Sequence, residues 1–296
     1  DVPQVAIADL QVRDGDLIYR GKSAVVLART APLEDIARLL WRSEQLSTDG
    51  ARTKAAGATP KARAFAFLSL RAANDPPTLG RGPAALQRDA WSILAGFADA
   101  LTGDVSSRAL HLRLADAWGV RGRGADLIRR SLVLMSDHEL NPSTFAVRIA
   151  ASTGAPLAAC ALAGLSTLAG PLHGEAASRA LAQLDRLLMA MDTGAEAKAM
   201  VARGDQIAGW SHPLYPDGDV RALDLLSALK PRSPIAKALR AIEKETGEKP
   251  NCDAALAAVT RELDLPSEAT FSVFALARMT GWLAHAMEQR ETGGII

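Results

Sequence analysis

Histidine, cysteine and aromatic side chains are all scarce in this chain of 296 residues, and each scarcity narrows what the protein does. The two cysteines, Cys160 and Cys252, stand far apart in neither a metal-binding nor a redox spacing. Each therefore reads as a small core residue. Aromatics make up only 4 % of the chain, so Ala and Leu must supply the apolar surface. That composition favours closely packed helices over strands. The formal net charge is +1. Nothing in that balance points to nucleic acid or an acidic membrane surface, although an anionic small substrate needs only a local cluster of arginines. No apolar run approaches the roughly 20 uncharged residues of a membrane span. With no secretory leader expected either, the expected setting is reducing and cytoplasmic.

What the chain does have is helical periodicity, on a length that suggests roughly two domains. Val5, Ile7, Leu17 and Tyr19 alternate weakly around Asp14-Gly15 and predict a short hairpin reaching Arg20-Gly21. Leu33, Ile36, Ala37, Leu40 and Trp41 follow the i, i+3, i+4, i+7, i+8 template of a half-buried helix. Residues 48–59 read as a loop and 74–83 as a firm break. Helices follow on Leu86, Trp91, Leu94, Phe97 and Leu101, and on Leu110, Leu114, Ala117 and Trp118. His111 and Arg113 lie off the second stripe, which places His111 at the surface. A helix over 126–135 delivers Asp137-His138 at its end. Residues 145–169 are apolar nearly all round, which predicts a helix or helix pair covered on most sides, in part by a second subunit. A helix on Leu181, Leu184, Leu188 and Met191 gives way to a polar segment, then to a Gly/Pro/Asp loop over 209–219. Shorter helices follow around 225–229 and 236–242, then one opened by Asp253 and a last one over 269–289. No internal repeat, parallel-sheet pattern or phosphate-binding glycine signature is present. The expected fold class is all-α.

Three of the five histidines sit beside residues that break helices. His138 precedes the cap-like Asn141-Pro142-Ser143-Thr144, His173 is boxed in by Gly170, Pro171 and Gly174, and His212 stands in Gly209-Trp210-Ser211-His212-Pro213. Arg221 and Asp253 also lie at element ends, where binding and catalytic groups are commonly held. Taken singly, each has a plain structural reading: a capping histidine, or an acid that complements a helix dipole. Arg278 resists such a reading. It shares an apolar helix face with Phe271, Phe274, Ala275, Met279 and Trp282, and a buried guanidinium needs an anionic partner. No two of these side chains have metal-ligand spacing, so no metal is expected. The absence of a Gly-x-Ser-x-Gly elbow argues against a serine hydrolase.

As a set, these residues resemble the citrate synthase family. Asp137-His138-Glu139 with Asn141 and Ser143-Thr144 is similar to the family's first histidine motif, and Gly170-Pro171-Leu172-His173-Gly174 to its second. Gly209-Trp210-Ser211-His212, with Tyr215, Asp219 and Arg221, resembles the third. Pro250-Asn251-Cys252-Asp253 resembles the family's aspartate motif, and Ala277-Arg278 through Gly281-Trp282 to Ala284-His285 its closing helix. Tyr19-Arg20-Gly21 and Leu39-Leu40-Trp41 fit as well, so the resemblance spans nearly the whole chain.

The resemblance implies a helical homodimer. Each subunit would have a large domain (1–173 and 265–296) and a small one (174–264) closing over a cleft. It implies condensation of acetyl-CoA with oxaloacetate, followed by hydrolysis of citryl-CoA, with no cofactor beyond the acyl-CoA substrate. Asp253 would be the base, His173 the donor to the enolate oxygen, and His212 the group polarising the ketone. Arg221 and Arg278 would hold the carboxylates, with His138 assisting. Two rival readings are a 2-methylcitrate synthase using propionyl-CoA and a non-catalytic relative serving as a binding module. The first differs by one methylene, worth only ~1–3 kcal/mol in an apolar pocket. Three departures stand out. Pro213 and Pro216 replace a usual Arg and Lys, and Val220 a usual Pro, which bears on CoA phosphate binding. Glu175 replaces a glycine. The sequence given ends at Ile296, before the family's Arg-Pro-Arg tail.

Overall fold

The computed structural model describes residues 12–13, 15–44 and 55–296. Val5, Ile7, Asp14 and most of the expected 48–59 loop lie outside the described residues. Three short strands open it: β1 (Val12–Arg13), β2 (Asp16–Tyr19) and β3 (Lys22–Ser23), antiparallel in that order. Arg20 and Gly21 join β2 to β3 with φ of 46° and 76°, the positive values a tight hairpin loop demands.

All else among the described elements is helical: α1 (Ala24–Ala28), α2 (Leu33–Trp41), α3 (Pro60–Asn74), α4 (Pro83–Thr102), α5 (Leu110–Ala117), α6 (Arg123–Leu134) and α7 (Pro142–Ser152). The chain continues through α8 (Leu157–Leu168), α9 (Glu175–Met189), α10 (Thr193–Ala202), α11 (Val220–Ser227), α12 (Pro234–Thr246), α13 (Cys252–Glu262) and α14 (Ala269–Thr292). The all-α expectation is met. Pro60, Pro83, Pro142 and Pro234 each stand at a helix start, where a missing N–H costs nothing and φ is already set.

The long α14 runs through the core, buried along nearly its whole length, and packs on α2, α4, α6, α7 and α8. Burying each Leu, Val or Phe of such a core contributes ~1.5–3 kcal/mol. Gly164 of α8 permits close contact there, since a Cβ would stand 2.9 Å from the Trp282 indole. Elsewhere α9 packs on α13 and α12, α10 on α12, and α11 on α13. Both cysteines are free and buried. No helix among the described residues is long and apolar enough to cross a membrane.

Two expectations are corrected. The polar segment after Met191 contains α10, because Asp192 caps it by accepting from the N–H groups of Gly194 and Ala195, and its alanines favour helix despite weak amphipathicity. Off-stripe position did not leave α5's polar residues at the surface. Arg113 is buried with its Nη1 3.0 Å from Asp99 Oδ1 on α4, and His111 is half-buried. Residues 145–169 carry the expected helix pair, α7 and α8, and in the single chain Phe145 and Ile149 of α7 are exposed.

Candidate active site

Asn141 builds the first corner of the site. Its Oδ1 caps α7 by accepting from Thr144 N–H at 3.2 Å, while its Nδ2 donates to the His138 carbonyl at 3.2 Å. Tyr19 Oη donates to the carbonyls of Val133 and Leu134, pinning the end of α6 just before the motif. His138 is thus held buried, its Nε2 3.0 Å from Tyr215 Oη. Burial, then the charges of Arg221 and Arg278 and the nearness of His212, hold its pKa well below the ordinary histidine value, so the ring is neutral.

The second corner carries His173. Gly174 is obligatory beside it, because a Cβ there would lie 2.6 Å from Leu168. Ser143 Oγ stands 2.9 Å from His173 Nε2, accepts from Trp282 Nε1 at 3.2 Å, and donates its own hydrogen to Asn141 Oδ1 at 2.7 Å. Burial, then Arg278, push the His173 pKa down to about 4. At neutral pH this ring too is uncharged.

The third and fourth corners are laced together. Ser211 N–H donates to Lys249 O and Asn251 N–H to Gly209 O, each at 2.8 Å, and Asn251 Nδ2 reaches Ser211 O at 2.9 Å. Gly209, at φ 85°, makes this approach feasible, since a Cβ would sit 2.7 Å from Ala254 N. His212 and Asp253 are brought to one place as a result. His212 Nδ1 accepts from Leu214 N–H at 3.2 Å, so the proton of the neutral ring is on Nε2. Its ring centroid is 5.0 Å from that of His138 and 5.1 Å from that of Tyr215. Burial and Arg221 lower its pKa against the opposing pull of Asp219.

Asp219 ties these parts to a cation. It caps α11 through Arg221 N–H at 3.0 Å, and its Oδ2 accepts from Cys252 N–H at 2.9 Å, at the start of α13. Burial alone would raise its pKa, but Arg221 and these N–H groups hold it below the ordinary carboxylate value. Arg278 is also buried and gives its Nε to Met135 O at 3.1 Å. Burial lowers its pKa against the pull of Asp137, from an ordinary value high enough to leave it charged.

Asp253 completes the set. A carboxylate in a helix's first turn should be stabilised by the dipole. Here burial outweighs that and, with Asp219, pushes the carboxyl up to about 7 against the fields of Arg221 and Arg278. His138, His173, Asp253 and Arg221 all stand within the field of Arg278, and His212 within that of Arg221. All six residues singled out in the sequence are therefore brought into one neighbourhood. It holds two buried cations, three neutral imidazoles and one carboxylate of near-neutral proton affinity.

Tyr215, Ser143 and Asp219 were legible only as members of motifs; what each of them touches is a tertiary fact. No group of three or more His, Cys, Asp or Glu side chains among the described residues could hold a metal ion. Glu175, at the departure after Gly174, is ion-paired with Lys61 of α3.

A family model described as "Citrate synthase, C-terminal domain" matches residues 80–296. Citrate synthase 2 of Bacillus subtilis (strain 168) is 30 % identical over 181 residues, covering 58 % of this chain and 49 % of that protein. The 2-methylcitrate synthase of Shewanella oneidensis is 25 % identical over 337 residues, covering 99 % of this chain and 90 % of that one. Among solved structures, the ternary complex of carboxymethyl coenzyme A and oxaloacetate with citrate synthase from Thermoplasma acidophilum superposes with a TM-score of 0.77 at 22 % identity. That match covers 100 % of this chain and 92 % of that one, and at such identity it speaks for the fold.

Proposed function

This chain belongs to the citrate synthase family, and on that premise we propose how its cleft divides the work of the condensation. It is an enzyme of the citrate synthase type. Its substrates in this proposal are oxaloacetate and an acyl-CoA, with acetyl-CoA as the leading choice. Arg221 and Arg278 receive the two carboxylates of oxaloacetate as planar donors. His212, with its hydrogen on Nε2, donates to the ketone oxygen. His138 helps to hold the acid.

The methyl group of a thioester gives up a proton reluctantly, so removal and stabilisation must act together. Asp253 takes the proton. His173 stabilises the enolate oxygen as a donor, its ring held in place by Ser143 Oγ at Nε2. The enolate carbon then forms a bond to the ketone carbon. The ketone oxygen leaves that step as an alkoxide and takes a proton from the His212 side. Water finally cleaves the thioester to give citrate and CoA. Closure of 174–264 over the cleft would keep water out until the carbon–carbon bond has formed. A second copy of the chain would cover Phe145 and Ile149, the exposed apolar residues of α7.

The observation that carries this reading is Asp253, a half-buried carboxyl pushed up to about 7 by desolvation beside two buried arginines. That proton affinity suits a general base working near neutral pH. Thiol release measured with oxaloacetate and either acetyl-CoA or propionyl-CoA tests it. Turnover with acetyl-CoA supports the reading; turnover with propionyl-CoA alone replaces it by the 2-methylcitrate reaction. No turnover with either, on folded protein, points to a binding module instead.

A further inference from the structure

Behind the cleft lie four buried polar side chains that the mechanism above leaves unused. Asp137, Arg148, His285 and Glu288 are 0 %, 1 %, 0 % and 8 % exposed. They form a chain between α7 and α14. Arg148 Nη1 donates to Glu288 Oε2 at 2.7 Å and also sits 3.2 Å from His285 Nδ1. Across the ring, His285 Nε2 lies 3.2 Å from Asp137 Oδ1.

The cation sets the direction of this chain. A guanidinium only donates, so His285 Nδ1 carries no proton and the ring hydrogen is on Nε2, the side of Asp137. The contact there is off the straight line of a hydrogen bond and acts as an electrostatic one. Asp137 then passes the constraint on. Its Oδ2 accepts from Glu139 N–H at 3.0 Å, and Glu139 stands at φ 50°, a costly conformation for a residue with a Cβ. The turn so fixed is the one that presents His138. Room for the carboxylate comes from Gly281, where a Cβ would lie 2.3 Å from Asp137 Oδ1. Asp137 also lies in the field of Arg278, which shares a stripe of α14 with Gly281, His285 and Glu288. The formal charges of Asp137 and Glu288 offset those of Arg148 and Arg278, and a neutral His285 keeps that balance.

We propose that His285 is a positioning residue for the oxaloacetate pocket: it aims the Asp137 carboxylate, which holds the His138–Glu139 turn and steadies Arg278. The inference rests on the reading of His138 and Arg278 as oxaloacetate ligands. The test is steady-state kinetics on the intact enzyme, with oxaloacetate and acyl-CoA varied separately. His285→Phe keeps the ring and deletes both nitrogens. Its KM for oxaloacetate should rise about tenfold, the scale of one lost hydrogen bond to a charged group, with the KM for acyl-CoA unchanged. His285→Gln, which retains a donor and an acceptor, should recover most of that loss. A packing role alone would lower melting temperature without a selective change in the oxaloacetate KM. A folded His285→Phe enzyme whose oxaloacetate KM stays within about twofold of the parent overturns the inference, since one such bond is worth more. Should His285→Phe fail to fold, Glu288→Gln loosens the far end of the chain and carries the same expectation and the same overturning result. An inactive parent that binds no oxaloacetate overturns the proposed function and this inference together; an active parent with insensitive variants overturns this inference alone.

Discussion

Arg221 and Asp219 form a closed, two-bond pair, with Nε 2.9 Å from Oδ1 and Nη2 2.8 Å from Oδ2, each residue 2 % exposed. The pair neutralises itself, so what it offers an incoming dianion is the remaining edge of the guanidinium. Arg278 is bonded through Nε to Met135 O, which leaves its two terminal nitrogens for an anion. These two edges constitute the proposed clamp.

Arg221→Lys and Arg278→Lys keep the charge and lose the planar fork. Each should weaken oxaloacetate by about tenfold or more, the scale of a charge-assisted hydrogen bond. Calorimetric titration with oxaloacetate, without acyl-CoA, measures this directly. Unchanged affinity in both variants would remove the clamp from the mechanism.

Phe145 and Ile149 lie one turn apart on α7 with 38 % and 43 % of their surfaces exposed. If a second copy covers them, Phe145→Ser with Ile149→Ser should shift the protein towards monomer in sedimentation velocity at micromolar concentration. A parent that is itself monomeric and fully active would contradict the assignment.

Ser143 Oγ touches both His173 Nε2 and the buried Trp282 N–H. Ser143→Ala leaves that N–H without its acceptor, at a cost of ~1–3 kcal/mol in stability. It also frees the His173 ring to change tautomer. Turnover should fall by about tenfold, less than the ~10²-fold or more of losing the acid–base group itself, while oxaloacetate affinity holds. Turnover equal to the parent's would show that His173 needs no such partner.

The site was legible in the sequence wherever local chemistry conflicted with its surroundings. Arg278 stood out as a charge on an apolar face, and His138, His173 and His212 as histidines among helix breakers. The fold class followed from the helical period of segments such as Leu33–Trp41. What escaped depends on long-range packing. The burial of Arg113 was not legible because the period of α5 is blind to Asp99 on α4, which receives it. His285 looked like an ordinary helix residue because its partners, Arg148 and Asp137, come from two other segments. Helix α10 was hidden by its weak amphipathicity, which matters less than its capped start at Asp192.

Asp253 separates a structural role from a catalytic one most cleanly. As a mere complement to the dipole of α13 it would add ~0.3–1 kcal/mol of stability and nothing to rate. Its carboxyl instead has a pKa raised from 3.8 to about 7 by burial, and the sign of that shift makes a second forecast. The folded state favours the protonated form, so stability is fully present below pH 3.8 and is lost as pH rises through about 7. Asp253→Asn removes that loss. It should melt no lower than the parent at pH 8, with its advantage fading towards pH 4, whereas a dipole complement would make it melt lower at pH 8. Turnover should move the other way, falling by ~10²-fold or more, the scale of a lost general base. In the parent, kcat/KM should rise with pH through about 7 as the carboxyl ionises, with His173, at about 4, already neutral across that range. An Asp253→Asn enzyme with near-parental turnover and a lower melting temperature at pH 8 would leave the dipole as its whole role and end the condensation assignment for this residue.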